Sequence, residues 1–429
     1  MHADNLPILN QSKNSITVEW LLAGACFLCP ATTWLLIPGT LSWSDGFVVA
    51  AAIIYFSSTA LRSGRLELPI FFLASVALVL IASLGSYANY LDPLNPINCL
   101  KFLVSLFVIP VVFMWGTTGN KEAVDKMLWF WLAGACLSAL VAVLSKYGIS
   151  VFGLKDQSAI FGQRASGLTY HPNSLAYTCA LLIPIATYLT VTTRASLLRW
   201  ICVAAIGLLV KAIIASGSRS AILAVVVAGL AWLPSPFKNK VRRTELLILA
   251  GGVLSLAALV IFLMLSDKPF DDASNALGRL LGNIGRAQQS NDEREIAAQI
   301  AYNGFEAAPI FGQGFQYIRV AHNNALQILH SSGLLGFTGA ILWWGGVAGT
   351  WWRLRSGIRM RGTQHDVFLL RALFSTALVM LVNGAFQPLL TDRNGYISIG
   401  LMLGLCLSPK YKQIHPGSNY TPQKEALHV

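Results

Sequence analysis

Four short segments of this chain hold residues whose types and spacing could do chemistry. The first is Gly162-Gln163-Arg164-Ala165-Ser166-Gly167-Leu168-Thr169-Tyr170-His171-Pro172-Asn173. Gly and Pro mark it as a loop, with Asn173 placed to cap the helix that begins at Ser174-Leu175-Ala176. His171 reads most simply as a turn residue before Pro172. The second is Ser216-Gly217-Ser218-Arg219-Ser220, a single arginine in a tight turn between two apolar runs. A guanidinium presents a planar fork of donors that meets two phosphate oxygens at once, which a lysine cannot do. The third is residues 292–308, where Ile296, Ile300 and Phe305 fall near helical spacing. This predicts an amphipathic helix on the bilayer surface, ended by Pro309, Gly312 and Gly314. Arg294 lies in its first turn, where it could bind an anion or simply pair with Glu293 or Glu295. The fourth is His322-Asn323-Asn324-Ala325-Leu326-Gln327-Ile328-Leu329-His330-Ser331-Ser332-Gly333-Leu334-Leu335-Gly336. His322 sits where a helix would re-enter the membrane, with Asn323 beside it. A histidine at a wet boundary titrates near neutral pH and can act as a general base; the alternative is a ring bonded to a loop carbonyl. His330 is eight residues on, so ~12 Å deeper along a helix, too far to share a metal ion with His322.

Little else in the chain offers chemistry. Asp271-Asp272 is the only adjacent pair of aspartates, and Asp92, Asp156 and Asp392 are scattered, so neither a metal nor another cofactor is expected. The seven cysteines all fall in apolar runs and read as small buried hydrophobes. The Cys26–Cys29 spacing has no second pair to complete a metal site.

The elements that must position these residues follow from composition. Of 429 residues, 55% are hydrophobic and only 12% charged, against roughly a quarter charged in a soluble domain. Lipid is therefore the expected solvent. Runs long enough to span a bilayer, ~20 residues, fall near 18–36, 43–60, 68–88, 99–116, 127–144, 173–193, 198–215, 219–233, 245–265, 334–352, 367–386 and 396–408. The expected fold is all-α: one membrane domain over 1–429 with about twelve transmembrane helices. One long loop at 266–321, carrying short amphipathic helices, is inserted before the helix that starts at His322. The first seventeen residues lack the basic region and small-residue cleavage site of a signal peptide, so the first run is expected to stay.

Orientation follows from Lys and Arg in the short loops. Alternate loops carry Arg62 and Arg65, Lys121 and Lys126, Arg194 and Arg199, Lys238 to Arg243, and Arg353 to Arg361. These loops and both termini should face the cytoplasm. The net charge of +12 is thus a topology signal, and a nucleic-acid partner is excluded because no soluble basic face gathers it. Basic residues on the opposite side run against that signal. They are Arg164, Arg219, Arg279, Arg286, Arg294, Arg319 and Arg393, with Lys101 and Lys211 near the outer ends of their helices. A long loop escapes the rule, but the turn at Arg219 is too short to do so. An anion-binding role is the reading for Arg164, Arg219 and Arg294.

The ordered set resembles the O-antigen ligase and polymerase superfamily of bacterial surface polysaccharide assembly. The pieces that carry the resemblance are Arg164-x-x-Gly167 followed by Pro172-Asn173-x-Leu175-Ala176, and Ser218-Arg219-Ser220. Two more are Arg294 with Pro309-x-x-Gly312-x-Gly314, and His322-Asn323-x-x-Leu326 followed by Gly333-x-x-Gly336. The resemblance covers about residues 160–340. It implies a GT-C-like inner-membrane glycosyltransferase, an O-antigen ligase in the first instance. Such an enzyme takes a glycan from undecaprenyl diphosphate and passes it to a sugar hydroxyl of lipid A–core on the periplasmic face. It further implies that His322 is catalytic and that Arg219, Arg294 and, less closely matched, Arg164 bind the diphosphate. Asn323, Lys211, Arg319 and Arg393 are secondary candidates. The reaction would need no metal and would invert the anomeric centre by single displacement. The alternatives are a polymerase of O-antigen or exopolysaccharide repeats, a protein-directed oligosaccharide ligase and, from another class, a membrane transporter. A transporter should carry charges at mid-bilayer on broken helices, and here most charges lie at helix ends or in loops.

Overall fold

The computed structural model describes residues 13–37, 41–57, 68–89, 91–92, 94–151, 164–232, 285–316 and 320–407. In lipid every backbone N–H and C=O must be bonded within its own element, so apolar runs form helices. The described residues give α1 Lys13–Leu28, α2 Trp43–Tyr55, α3 Ile70–Asn89, α4 Leu94–Thr117, α5 Lys121–Ser145, α6 Pro172–Thr192, α7 Ser196–Ser216 and α8 Arg219–Trp232. After these come α9 Gly285–Ala307, α10 Asn324–Arg361, α11 Gln364–Gly384 and α12 Arg393–Cys406. The chain is an all-α polytopic membrane protein. Among the described residues seven helices (α3–α7, α10 and α11) are long and apolar enough to cross a bilayer, and α1, α2 and α8 are apolar but shorter. The run at 245–265 lies outside the described residues.

Three elements differ from the sequence expectation. The run at 18–36 divides: α1 stops at Leu28, one residue before Cys29-Pro30, and β1 Leu35–Ile37 pairs antiparallel with β2 Leu41–Ser42. Pro30 cannot continue a helix, and it disfavours helical geometry at Cys29. The polar helix before Pro309 spans 285–307 rather than 292–308. The helix after His322 starts at Asn324 and is broken at Gly333 (φ 58°, ψ −161°), a region open essentially to glycine alone.

That break is filled by another part of the chain. A kink in a membrane helix frees carbonyls before it and amides after it, and both need partners. The carbonyls of His330 and Ser331 accept from the amides of Gln313 (2.7 Å) and Gly314 (3.0 Å). The amides of Leu334 and Leu335 donate to the carbonyls of Pro309 (2.8 Å) and Ile310 (3.2 Å). The segment 309–314 thus plugs α10, and Gly312 (φ 74°) lies against the backbone of Ser331–Gly333 with no room for a side chain. The Asn95 and Asn98 side chains of α4 bond the backbone of Phe315 at 2.7 and 2.9 Å, and the Phe315 ring stacks on Phe102.

The helices are held at both ends by polar contacts and between them by small residues. At the end carrying Lys121 and Lys126, Lys121 pairs with Asp366 (3.5 Å), Lys126 with Glu19 (3.2 Å), and the Tyr188 hydroxyl donates to Asp125 (2.6 Å). Within the bundle, Gly339 and Gly346 of α10 lie against Ser75 and Phe71 of α3, and the Ser75 hydroxyl donates to the Gly339 carbonyl at 2.7 Å. Small residues permit this close approach, which replaces the hydrophobic drive absent in lipid. The far end carries the turns at 164–171, 216–219 and 385–392 together with α9 and residues 308–316 and 320–323.

Candidate functional site at the far end of the bundle

Arg219 is positioned by a tight reversal. Gly217 ends α7 in the left-handed conformation (φ 64°), its amide bonding the Ile214 carbonyl at 2.9 Å. The Ser216 hydroxyl accepts from the Ser218 amide at 3.3 Å, and α8 starts at Arg219 itself. Helix N-termini are positive and ordinarily favour acidic residues, so an arginine there runs against the local preference. The turn is braced from outside: Arg164 Nε donates to the Ser216 carbonyl (2.7 Å) and the Ala165 amide to the Ala215 carbonyl (3.1 Å).

Arg294 is carried by α9. On this helix Ile296, Ile300 and Tyr302 are exposed, whereas Arg294, Ala297 and Gly304 are half-buried and Ala301 is buried. Arg294 therefore belongs to the inward stripe. His330 fixes that stripe. Its ring packs on Gly304, where a side chain would overlap it, and its Nδ1 lies 3.3 Å from the Ala301 carbonyl. Gln313 adds a bond from its side-chain amide to the Gly304 carbonyl at 3.2 Å.

His322 precedes the cap of α10. The Asn323 side chain accepts from the amides of Ala325 (2.8 Å) and Leu326 (3.1 Å), and Gln327 Oε1 accepts from the Ala321 amide at 3.0 Å. His322 is thus held by bonds to both of its neighbours while its own ring stays open to solvent.

Arg294 links the other two electrostatically. Burial lowers the Arg294 pKa from the ordinary guanidinium value, and the like charge of Arg219 lowers it further. The protein surface around the His322 ring removes enough hydration to lower its pKa below 6.5; Arg294 adds to the drop and Glu293 partly opposes it. Arg294 therefore lies within electrostatic reach of both Arg219 and His322, neither of them on its own helix, at one end of the molecule.

The other sequence candidates have protein partners or lie elsewhere. Arg164 spends Nη2 on Asn173 Oδ1 (2.5 Å) as well as Nε on Ser216. Asn323 is the α10 cap, its amide also donating to the Ala385 carbonyl at 3.2 Å. Arg393 forms an ion pair with buried Asp45, which also closes a capping box with Ser42 at the start of α2. Lys211 lies within α7, five residues before its end, and Arg319 lies outside the described residues. Asn173 does not cap α6. His171 does, accepting the Asn173 amide at 3.1 Å, because Pro172 occupies the first helical position and the cap falls two residues earlier than expected. Among the described residues no group of three or more His, Cys, Asp or Glu could hold a metal ion.

Two features escaped sequence reading. Gln327 and Gln387 are buried amides bonded to the backbone before His322, six residues away, and to Ser220, 167 residues away. A cavity of about 630 Å³ lies between α10 and α11. It runs from Asn323, Asn324 and Gly384 at the far end to Trp351 and Phe374 toward the basic end, and its lining is almost wholly apolar.

No curated protein matches the chain. A family model described as O-Antigen ligase matches residues 203–341, about a third of the chain, and the matched stretch holds Arg219, Arg294 and His322 but neither Arg164 nor Arg393. Residues 203–341 are therefore similar to the O-antigen ligase family.

Proposed function

We propose that this protein is an O-antigen ligase, transferring a glycan from undecaprenyl diphosphate to a sugar hydroxyl of lipid A–core. Arg219 and Arg294 would bind the diphosphate, and His322 would act as general base. The observation that carries this reading is that Arg219, at the start of α8, and half-buried Arg294, on α9, lie at the same end of the bundle within electrostatic reach of each other. Two like charges held close together cost energy, and a diphosphate between them relieves that cost. As the glycosidic bond breaks, negative charge grows on the departing diphosphate. Preorganised donors aimed at that charge lower the barrier with no proton to move. The acceptor proton goes to the neutral imidazole of His322, a step worth ~10²–10⁴-fold in rate. Attack from the face opposite the leaving group inverts the anomeric centre, and no metal is required. The apolar cavity between α10 and α11 opens beside Asn323 and suits the lipid tail of the donor.

The lysine- and arginine-rich end would face the cytoplasm with both termini, placing the site in the periplasm. Arg164 is a brace for the Arg219 turn in this reading, and Arg393 takes no part. Polymerase chemistry would use the same residues. A deletion strain separates the two: loss of a ligase leaves full-length glycan on its lipid carrier, and loss of a polymerase leaves single repeats on lipid A–core. The test of the site itself is Arg219→Lys and Arg294→Lys. Each should insert normally and lose transfer by about a hundredfold or more, as removal of one preorganised donor does. Near-normal transfer by both would remove the bidentate diphosphate contact.

A further inference from the structure

The loop between α11 and α12 is bonded on two sides at alternate residues. The Ala385 carbonyl accepts from the Asn323 side chain at 3.2 Å. The Gln387 side chain, 6% exposed, donates from Nε2 to the Ser220 hydroxyl at 2.9 Å. The Leu389 amide donates to Asn324 Oδ1 at 2.6 Å. Residues 385 and 389 thus hold the two residues that follow His322, and residue 387 between them holds the residue that follows Arg219.

We infer that Gln387 is a positioning residue: through its bond to Ser220 it makes the loop 385–392 a strap that sets the separation between Arg219 and His322. The inference rests on the roles proposed above for those two residues. Three features of the contacts point to it. Ser220 lies in the first turn of α8, where the Ser218 hydroxyl, 3.3 Å away, joins the same small network, so a pull on Ser220 moves the Arg219 turn as a unit. Asn324 opens α10, and Gly384 leaves no space between α11 and the Asn324 amide, so the strap cannot slide on that side. Gln387 is also a buried amide in a region that aliphatic residues would pack at lower desolvation cost, so its hydrogen bond is the feature it contributes. The geometry matters because a displacement of ~1 Å between bound donor and base costs about a hundredfold in rate.

The test uses the full-length protein in proteoliposomes, with the lipid-linked glycan that accumulates in cells lacking the protein as donor and purified lipid A–core as acceptor. Gln387→Met keeps the side-chain length and removes the bond, and Ser220→Ala removes its other end with minimal repacking. We expect each to lower kcat about 30- to 100-fold with KM for both substrates changed less than about threefold. The double variant should be no worse than either single one, and Ser220→Thr, which keeps the hydroxyl, should stay near wild type. Unchanged kcat, a rise confined to KM, additive losses in the double variant, or a loss that merely tracks the amount of folded protein would each overturn the inference. His322→Ala is run alongside. If it transfers normally, the proposed base is wrong and the strap falls with it. If it is inactive while Gln387→Met is normal, only the strap is wrong.

Discussion

As the base proposed above, His322 would have to be neutral to accept a proton, and its surroundings would set the acid limit of activity. Lost hydration and the neighbouring Arg294 charge hold its pKa below 6.5, and Glu293 pulls the other way. With a lowered pKa the imidazole stays unprotonated to lower pH than usual, and the rate should fall only as pH drops through that lowered value. The acid limb of kcat/KM is therefore expected below 6.5. In Glu293→Gln the opposing charge is gone, and the limb should move further down. A limb above 6.5, or one that moves up in this variant, would show that another group controls the profile. At the same scale, several residues that read as equivalent in the sequence have separate duties. Arg164, Arg219, Arg294 and Arg393 all break the charge alternation, but Arg164 is bonded to Ser216 and Asn173, and Arg393 to Asp45. The Arg393–Asp45 pair joins positions at opposite ends of the sequence, which no local pattern could announce.

At the scale of elements, the plug of 309–314 in the broken helix α10 ties the end of the polar helix α9 to the membrane bundle. It supplies partners for four backbone groups freed by the break. Gly333 is in a backbone region that side chains avoid, and a Cβ there would meet the Ile310 carbonyl. Gly333→Ala is expected to destabilise the protein by about 1–3 kcal/mol, read as a lower thermal midpoint in detergent, and to raise amide exchange in 309–314 first. An unchanged midpoint would mean that the break relaxes without the plug. The helices themselves were legible because an apolar run in lipid has few alternatives to helix, and the turn at Gly217-Ser218-Arg219 was legible because glycine and a lone charge punctuate two such runs. The break was not, since Ser331-Ser332-Gly333 differs little from glycines that α10 carries unbroken, such as Gly345 and Gly349. Likewise, the run at 18–36 was continuous in hydropathy, and only Pro30 signalled that α1 would stop and a hairpin follow.

For the whole molecule, the described basic residues Lys121, Lys126, Arg194, Arg199, Arg353 and Arg355 mark one end and the candidate site lies at the other. If the basic end is cytoplasmic, α9 is periplasmic. Gln299 is exposed on that helix, bonded only to its neighbour Asn303 among the contacts described for it. The native cysteines are buried or half-buried, so Gln299→Cys should give a clean labelling signal. A membrane-impermeant maleimide should label it in spheroplasts with the inner membrane intact. Labelling only after that membrane is opened would place the site on the wrong side for a lipid-linked glycan. The alternation of helix ends was legible in the loop charges, but the electrostatic reach of Arg294 to Arg219 and to His322 is a matter of packing, in which the plug, the His330–Gly304 contact and the Gln387–Ser220 bond take part.

The most direct measurement is the rate of glycan transfer by His322→Ala in proteoliposomes at saturating donor and acceptor, with insertion and folded amount matched to wild type. A loss of about 10²–10⁴-fold, with the donor still bound, is the expected result for removal of a general base beside an intact diphosphate site. Transfer within about tenfold of wild type would contradict the account, because the imidazole would then not be taking the acceptor's proton.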